Sequence, residues 1–266
     1  GAGGAKDGLA ELLQAGTTVA AQSLSAMPLD EAASHLKRFF ALLESAKSGI
    51  GAGDITARVV AFAPAFGPAY QEASRRAALR LAGVAAAVAR QVPPRIEIAT
   101  LADAPPGSLG ESFYRLIVDN KFDVEVLDRD TLGLGDLPAE LAYLNGRILQ
   151  MHDIWHIVAG YETTVLHEVG ISAFQLAQFG HAYSAMFLAS VMAVGALVAP
   201  SPAFQILVQT IAEAWLHGRV APPFMAIVWE DEWRNDLEDI RGRHGIAPFK
   251  GTWPADLIEK ALDTAA

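Results

Sequence analysis

Apolar residues recur every three or four positions along most of this chain, which is the period of an α-helix with one buried face. In the first third, for example, Leu36, Phe39, Phe40 and Leu43 follow this spacing. Proline and glycine clusters interrupt the pattern, and the segments between them predict a series of helices. The predicted helices cover residues 7–25, 29–47, 67–91, 108–120, 136–160, 182–199, 203–218, 224–243 and 253–262. A weak alternation over residues 95–100 predicts a short strand or an extended arm, so the pattern as a whole indicates an all-α fold.

The most apolar part of the chain is residues 169–212, which contain no Asp, Glu, Lys or Arg. Residues 182–199 alone approach the length of about 20 residues that crosses a bilayer. The segment nevertheless includes Gly195, follows Gln175 and Gln178, and has no basic flank to set a topology. We therefore predict a multi-helix bundle around a long, buried, apolar central helix at 182–199. A true membrane span and a partly lipid-facing helix are the alternatives.

Proline pairs at residues 93–94 and 105–106 punctuate the middle of the chain. They predict an N-terminal helical region at 1–92 and a helical core domain at 93–266. The start of the second domain carries a capping signal, because Ser108 is followed three residues later by Glu111. The helix that begins there is expected to end near Asn120.

Charge and composition exclude several classes of function. The formal net charge is −10 and the pI is about 5.1, so the electrostatic attraction on which non-specific nucleic-acid binding depends is missing. There is no cysteine, which excludes disulfides, thiolate nucleophiles and cysteine-ligated metals. The mean hydropathy of +0.26 is high for a globular protein. Residues 1–5 resemble a processing remnant, and the following residues resemble neither a secretory signal nor a transit peptide, so a cytoplasmic protein is expected.

The candidate chemistry is concentrated in the stretch 152–156. His152 and His156 are four residues apart on a predicted helix, so both can point at one ion. Asp153 lies about 100° round from His152, close enough to be a third ligand or to orient an imidazole. In a continuous helix Glu168 would lie about 18 Å beyond His156. A chain reversal at Gly160 would bring Glu168 back, at the start of a second helix capped by a threonine at 163 or 164.

Such a site would lie between two adjacent helices and offer two nitrogens with up to two carboxylates. This ligand set suits zinc, and equally iron or manganese, and oxygen-rich ligation also admits magnesium. His167 can add a third nitrogen, and His181 lies about 40° from His167 on an ideal helix, where it can line the same cavity. The competing interpretation treats the histidines as core or capping residues. A metalloprotease of the H-E-x-x-H kind is disfavoured because Asp153 stands where that motif needs Glu.

The motif His152-Asp153-x-x-His156, followed after eleven residues by Glu168, resembles the signature of the coenzyme Q biosynthesis protein four family. The surroundings are similar too: residues 147–151 precede the motif, Gly160 follows it, and an apolar segment rich in small residues comes after Glu168. The resemblance covers about residues 95–246. It departs from the family at His167, where the family carries a small residue, and it leaves the first 90 residues without a counterpart.

The resemblance implies an all-helical protein of ubiquinone biosynthesis with a divalent metal held by His152, Asp153, His156 and Glu168, for which zinc is the first choice. It implies C1 decarboxylation of a polyprenyl-hydroxybenzoate, with hydroxylation at that carbon in one version, so the same four residues are the candidate catalytic residues. The implied partners are the polyprenylated aromatic substrate, a membrane surface and other coenzyme Q biosynthesis proteins, and pairing into a homodimer stays open. The resemblance also implies that the protein is peripheral to the inner face of a membrane. A bacterial source is indicated by composition, since Arg exceeds Lys and alanine is frequent.

Two other functions stay open at this stage. One is a non-catalytic prenyl-lipid-binding scaffold that organises a coenzyme Q biosynthesis complex, in which the metal only fixes two helices together. The other is a metal-dependent hydrolase of a prenyl phosphate, which needs a cationic clamp. Only Arg147 and Lys121 lie near the motif in sequence to supply that clamp.

Overall fold

The computed structural model describes residues 68–90, 96–120 and 134–265, together with the single positions 30, 34 and 37. Every regular element within these ranges is helical, and their one β-bridge joins Ser108 to Asp236. The α-helices are α1 (Pro68–Ala78), α2 (Val84–Arg90), α3 (Leu109–Asn120), α4 (Ala139–Ala159), α5 (Val165–Phe179), α6 (Ala182–Val198), α7 (Ser201–Val220), α8 (Leu237–His244) and α9 (Leu257–Ala265). Short 3-10 turns lie at Ile98–Leu101, Leu134–Asp136, Phe224–Ala226 and Trp229–Glu232. The predicted all-α fold is confirmed for the part of the chain that the structure describes.

The core is built around α5 and the C-terminal half of α4. Ile171, Ala173 and Phe174 of α5 are fully buried, as are Ile154 and Trp155 of α4. Helix α5 packs chiefly against α7 and also against α6. The two helices that carry the candidate ligands are therefore also the most enclosed ones.

The expected central helix at 182–199 is not found at the centre. The corresponding helix, α6, buries Leu188 but leaves Val194 45% and Leu197 84% exposed. An all-apolar sequence does not distinguish its buried face from its exposed one, and α5 takes the central position. Among the described residues, no helix combines the length and the apolarity needed to cross a bilayer.

Three local predictions were wrong. The single helix predicted at 67–91 is two helices, α1 and α2, because the chain turns at Gly83 with φ of 80°. Residues 98–101 form a 3-10 turn instead of a strand. The long helix predicted at 224–243 is two 3-10 turns followed by α8, whose N-cap Asp236 accepts from the backbone N–H groups of Glu238 and Asp239.

Other boundaries agree closely with the prediction. The capping box is confirmed: the backbone N–H of Glu111 donates to Ser108 Oγ at 3.2 Å, and the Glu111 carboxylate accepts from the backbone N–H of Gly107. Helix α4 ends directly before Gly160, and α5 begins directly after Thr164. The predicted helices at 7–25 and 29–47 lie outside the described residues, apart from three single positions.

The division at residue 92 stays a prediction, although the described part of the first region is attached to the core. Helices α1 and α2 contact α4. Arg75 of α1 pairs with Glu140 at 2.9 Å, and Arg90 at the end of α2 donates to the carbonyl of Met225 at 2.9 Å. The first of these bonds joins the described part of residues 1–92 to the helix that carries the candidate site, and the second joins it to the 3-10 turn at Phe224–Ala226.

Candidate metal centre

The reversal after α4 is what brings the candidate ligands together. Gly160 has φ of 76°, a left-handed conformation that favours glycine, and its N–H bonds to the carbonyl of His156. The free carbonyls at the end of α4 are satisfied by the C-terminal part of the chain. Arg241 donates to the carbonyls of Ile157 at 2.7 Å and Val158 at 3.0 Å. The last turn of α4, with His156 in it, is therefore fixed from outside the helix.

Three of the predicted residues converge on one point between α4 and α5. His152 Nε2 lies 3.1 Å from His156 Nε2, and the Glu168 oxygens lie 3.5 Å from His152 Nε2 and 3.4 Å from His156 Nε2. Two ligand atoms bound to one zinc at about 2.1 Å in tetrahedral geometry are about 3.4 Å apart. The observed separations therefore fit one first-row ion bound to all three side chains.

The hydrogen bond of His156 supports the same conclusion. Its Nδ1 lies 3.2 Å from the carbonyl oxygen of Tyr161, and a carbonyl can only accept, so Nδ1 carries the proton. In the tautomer with its only proton on Nδ1, the Nε2 of His156 carries a lone pair that faces Glu168. A lone pair 3.4 Å from a carboxylate oxygen is repelled by it unless a cation or proton lies between them, so the residues present fit a metal ion.

The charges at the site are mutually stabilising. Burial by itself raises the pKa of Glu168, but its interactions with the protonated forms of His152 and His156 outweigh burial and hold the pKa well below its usual range. For His152, burial lowers the pKa, but the bond to Glu168 and its negative charge outweigh burial and raise it. Glu168 therefore stays ionised, and in the metal-free protein His152 holds its proton more tightly than an exposed histidine does.

The other predicted ligands are placed differently. Asp153 is not among the three residues whose ligand atoms converge, and its charge favours the protonated form of His152. Its role as a ligand stays a prediction. His167 is buried and accepts a hydrogen bond from the backbone N–H of Glu162 through Nδ1 at 2.9 Å. It is not in the converging group either, so a third nitrogen at the site is not indicated.

Sequence reasoning missed the residues that support the ligands. Gln175, used only as an argument against a membrane span, lies two turns after Glu168 on α5, and its amide contacts His152 Nδ1 at 2.7 Å. The spacing of seven residues was the available signal, since it places both side chains on one helical face. His181 lies behind Gln175 and reaches it through Ser184. His181 therefore supports the site indirectly and does not line it beside His167.

An aromatic cluster closes the end of the site near Gly160. Tyr161 stacks on Phe249 with ring centroids 4.5 Å apart, and its hydroxyl donates to His217 Nδ1 at 2.9 Å. The other ring nitrogen of His217 donates to the carbonyl of Ala247. Burial raises the pKa of Tyr161 well above its usual range. This phenol therefore stays neutral, and its role is to hold the turn that presents its own carbonyl to His156.

Arg147, the cation proposed for a phosphate clamp, is already paired with a carboxylate. Arg147 is buried and forms a two-pronged ion pair with Glu230, with one N–O distance of 2.7 Å. It also donates to Gln150 at 3.1 Å. Lys121 lies outside the described residues. The hydrolase hypothesis thus loses the one described residue that supported it.

Curated relatives of the chain are ubiquinone biosynthesis proteins. The chain is 31% identical over 165 residues to the mitochondrial ubiquinone biosynthesis protein COQ4 homolog of Rattus norvegicus, covering 58% of each chain. It is 29% identical over 156 residues to the homolog of Homo sapiens, covering 57% of this chain and 55% of that one. The matched part is thus less than two thirds of the length of these relatives.

A solved structure and a family model extend the comparison. A crystal structure of a candidate ubiquinone biosynthesis protein from Nostoc punctiforme matches with a TM-score of 0.59 and 25% identity, over 80% of this chain and 96% of that one. The model of the family described as coenzyme Q (ubiquinone) biosynthesis protein Coq4 matches residues 90–250. That match covers more than half of the chain and contains all three converging ligands, so the chain belongs to the coenzyme Q biosynthesis protein Coq4 family.

Proposed function

We propose that the chain performs a metal-dependent step of ubiquinone biosynthesis, the removal of the C1 carboxylate from a polyprenyl-hydroxybenzoate. One observation carries the proposal: three side chains, His152, His156 and Glu168, converge on one point, while Glu168 is 43% exposed. Three protein ligands with an open side are typical of a catalytic metal, whereas a structural metal is closed by four. Membership of a ubiquinone biosynthesis family supplies the substrate class.

The chemistry needs few groups from the protein. Loss of carbon dioxide breaks the bond between C1 and the carboxyl carbon, and C1 keeps the electron pair and takes a proton. A divalent ion at the three ligands supplies a Lewis acid for the substrate carboxylate or phenol. The chain holds the ligands on two buried helices, which keep water from most sides of the site. Two histidines and one carboxylate are also typical of non-haem iron. With iron, dioxygen and a two-electron reductant, the product would carry a hydroxyl at C1 and the second oxygen atom would leave as water.

The test is a decarboxylation assay on a short-chain prenyl hydroxybenzoate labelled with ¹³C in its carboxylate. The purified full chain, with its metal content measured, should release labelled carbon dioxide, and the product mass distinguishes hydrogen from hydroxyl at C1. His156→Ala and Glu168→Gln should lose both the metal and the activity while keeping their helical content. His244→Ala, a histidine paired with Glu232 away from the trio, is the control and should keep both. A parent protein with no metal would overturn the proposal.

A second candidate is the non-catalytic prenyl-lipid-binding scaffold. The observation that favours it is a set of exposed apolar side chains on α6 and α7, here called the apolar face, which includes Leu197, Trp215, Leu216 and Val220. Such a face suits a prenyl tail, a membrane surface or another protein of the pathway. A protein that binds one metal and a prenylated aromatic but releases no carbon dioxide in the assay would favour the scaffold over the lyase.

The same face supports a location at a membrane surface, and we propose the inner face of a bacterial membrane as the place of action. From residue 169 to residue 212 the chain carries no charged side chain. Helix α6 and the first part of α7 are therefore uncharged, and they can enter the apolar boundary of a bilayer without desolvating ions. The charged residues Glu213 and Arg219 lie in the last part of α7. Fractionation of the expressing cells, with and without a high-salt wash, tests this location.

A further inference from the structure

Behind the candidate ligands, a chain of buried polar side chains runs from α4 through α6 and α5 back to α4. Asn145 of α4 contacts His181 Nε2 at 2.9 Å, and His181 Nδ1 contacts Ser184 Oγ at 3.0 Å. Ser184 Oγ lies 3.4 Å from Gln175 Oε1, and Gln175 Nε2 lies 2.7 Å from His152 Nδ1. Gln175, His181 and Ser184 are all more than nine-tenths buried. Buried polar groups need donors matched to acceptors, so the network constrains where each proton lies.

The constraint begins at Asn145, whose amide nitrogen donates to the carbonyl of Leu141 at 2.7 Å. That bond fixes the orientation of the amide, because a reversed amide would place its oxygen against a carbonyl. Asn145 Oδ1 therefore faces His181 Nε2, and this nitrogen must carry a proton. Burial lowers the pKa of His181 to about 3, so the ring is neutral and its Nδ1 is a bare acceptor.

The proton position on His181 also determines the donor and acceptor roles of Ser184 and Gln175. Since His181 Nδ1 can only accept, the Ser184 hydroxyl donates to it, and the oxygen of Ser184 is left as an acceptor for Gln175. In the structure the amide oxygen of Gln175 faces Ser184 and the amide nitrogen faces His152 Nδ1. With the Ser184 proton given to His181, that orientation sets two acceptors, Ser184 Oγ and Gln175 Oε1, against each other. The reversed amide occupies the same space and lets its NH₂ group donate to Ser184, so the hydrogen bonds assign the carbonyl oxygen to His152 Nδ1.

We infer that Gln175 is a positioning residue that holds His152 in the tautomer protonated at Nδ1, so that its Nε2 is free to bind the metal. In that arrangement each of the five contacts, from His152 through to the carbonyl of Leu141, pairs a donor with an acceptor. The carboxylate of Glu168 favours the other tautomer, but its oxygen lies 3.5 Å from His152 Nε2 while the Gln175 amide lies 2.7 Å from Nδ1. The shorter bond decides the tautomer.

His152 and His156 thus both carry a proton on Nδ1, but different groups accept it. For His156, the backbone carbonyl of Tyr161 accepts the Nδ1 proton. For His152, a side chain does so, and that side chain can be changed without breaking the backbone. The inference rests on the proposed metal site, and it assigns Gln175 a role in metal affinity that a purely structural glutamine would not have.

The experiment compares three variants of the full chain. Gln175→Met keeps the length of the side chain but offers no acceptor, and we expect metal affinity to fall about 10- to 100-fold. Gln175→Glu keeps an acceptor for His152 and should retain the affinity to within about threefold. Gln178→Met is the matched control, because Gln178 lies one turn further on α5 and donates to the carbonyl of Gly218 at 2.6 Å. That variant should lose stability and keep its metal affinity.

The tautomer is read directly in the metal-free proteins. Correlation spectra of ¹⁵N-histidine-labelled protein at about pH 9, where the imidazoles are neutral, distinguish a proton on Nδ1 from one on Nε2. His152 should carry its proton on Nδ1 in the parent and in Gln175→Glu, and partly on Nε2 in Gln175→Met. Zinc affinity is measured alongside by competition with a chelator.

The two readouts separate this inference from the proposed function. Equal zinc affinity in Gln175→Met and the parent, or a parent His152 protonated on Nε2, would overturn the positioning role and leave the metal site standing. A parent that binds no metal while His152 is protonated on Nδ1 would overturn the proposed function, and the positioning role would stand.

Discussion

At the scale of single residues, the ionisation of His152 and Glu168 determines how the site responds to pH. The raised pKa of His152 means that its proton must leave before a metal can bind, whereas the lowered pKa keeps Glu168 ionised. We expect zinc affinity to weaken by about tenfold per pH unit as the pH falls below the pKa of His152. Chelator competition between about pH 5.5 and pH 8.5 measures this slope.

The folding stability of the metal-free protein should fall as the pH rises, whereas zinc affinity increases. A raised pKa in the folded state contributes stability that is complete below the unfolded value of about 6.5 and is lost as pH rises through the folded value. The lowered pKa of Glu168 contributes stability that is lost only when the pH falls through it, far below this range. The increase in Tm on adding zinc should therefore grow with pH. A constant increase across this range would contradict the coupling of His152 to the metal.

A second residue-scale prediction concerns Tyr161, which supports the site through its backbone. Its carbonyl accepts from His156, while its hydroxyl donates to His217. Tyr161→Phe leaves the carbonyl in place and removes the donor to a half-buried nitrogen, which should cost about 1–3 kcal/mol of unfolding free energy. Zinc affinity should change by less than about threefold, because both ligand tautomers are preserved. Urea unfolding and chelator competition check the two parts, and a large loss of affinity would show that the hydroxyl acts on the metal.

At the scale of elements, the reversal between α4 and α5 controls whether the ligands meet. Gly160 has φ of 76°, and a Cβ there would lie 2.8 Å from Pro248 Cβ. Gly245, at the end of α8, has φ of 68° and no atom near the position of a Cβ. Gly160→Ala should therefore cost more unfolding free energy than Gly245→Ala, whose cost is the backbone strain of about 1 kcal/mol.

Of these two substitutions, only Gly160→Ala should affect zinc binding. Pushing the Pro248 segment away from α4 also displaces the neighbouring bond from Phe249 N–H to the carbonyl of Ala159. We expect Gly160→Ala to weaken zinc binding by about tenfold or more, since ligands must be held to a fraction of an ångström. Gly245→Ala should leave zinc affinity unchanged. Equal affinities in the two variants would mean that the turn tolerates displacement.

The sequence predicted the elements that obey local rules. The spacing of His152 and His156, the break at Gly160 and the capping box at Ser108 are all local, and each was confirmed. The segment 224–243 was mispredicted because its shape is set by distant contacts: the backbone N–H of Gly110 donates to the carbonyl of Trp233 at 2.8 Å. Such a bond prevents one continuous helix, and no local sequence pattern predicts it.

The same distinction explains what was missed at the site. The Gln175 network joins three helices through side chains far apart in sequence, so its hydrogen bonds depend on the packing of α4, α5 and α6. The apolar run at 182–199 predicted a helix correctly but not its place in the bundle. Burial depends on which neighbours a helix has, and in a segment apolar on every side the sequence carries no directional signal.

At the scale of the whole molecule, the apolar face of α6 and α7 is the surface that can bring the site to its substrate. Leu197 is 84% and Val220 81% exposed, and Arg219 lies beside the ring of Trp215 at 5.9 Å. The net charge of −10 means that anionic lipids repel the protein as a whole. Association with a bilayer must therefore come from insertion of apolar side chains, which salt does not screen.

We accordingly expect the full chain to co-sediment with neutral phosphatidylcholine vesicles and to remain bound at about 0.5 M salt. Replacing two exposed apolar side chains, in Leu197→Ser with Val220→Ser, should lower the partition coefficient by about tenfold or more, since burying each side chain is worth about 1.5–3 kcal/mol. Val118→Ser is the matched control, because Val118 is also exposed but lies on α3. Binding that salt abolishes, or that falls equally in the control, would mean that this face is not the membrane-binding surface and would favour a protein partner of the pathway on it.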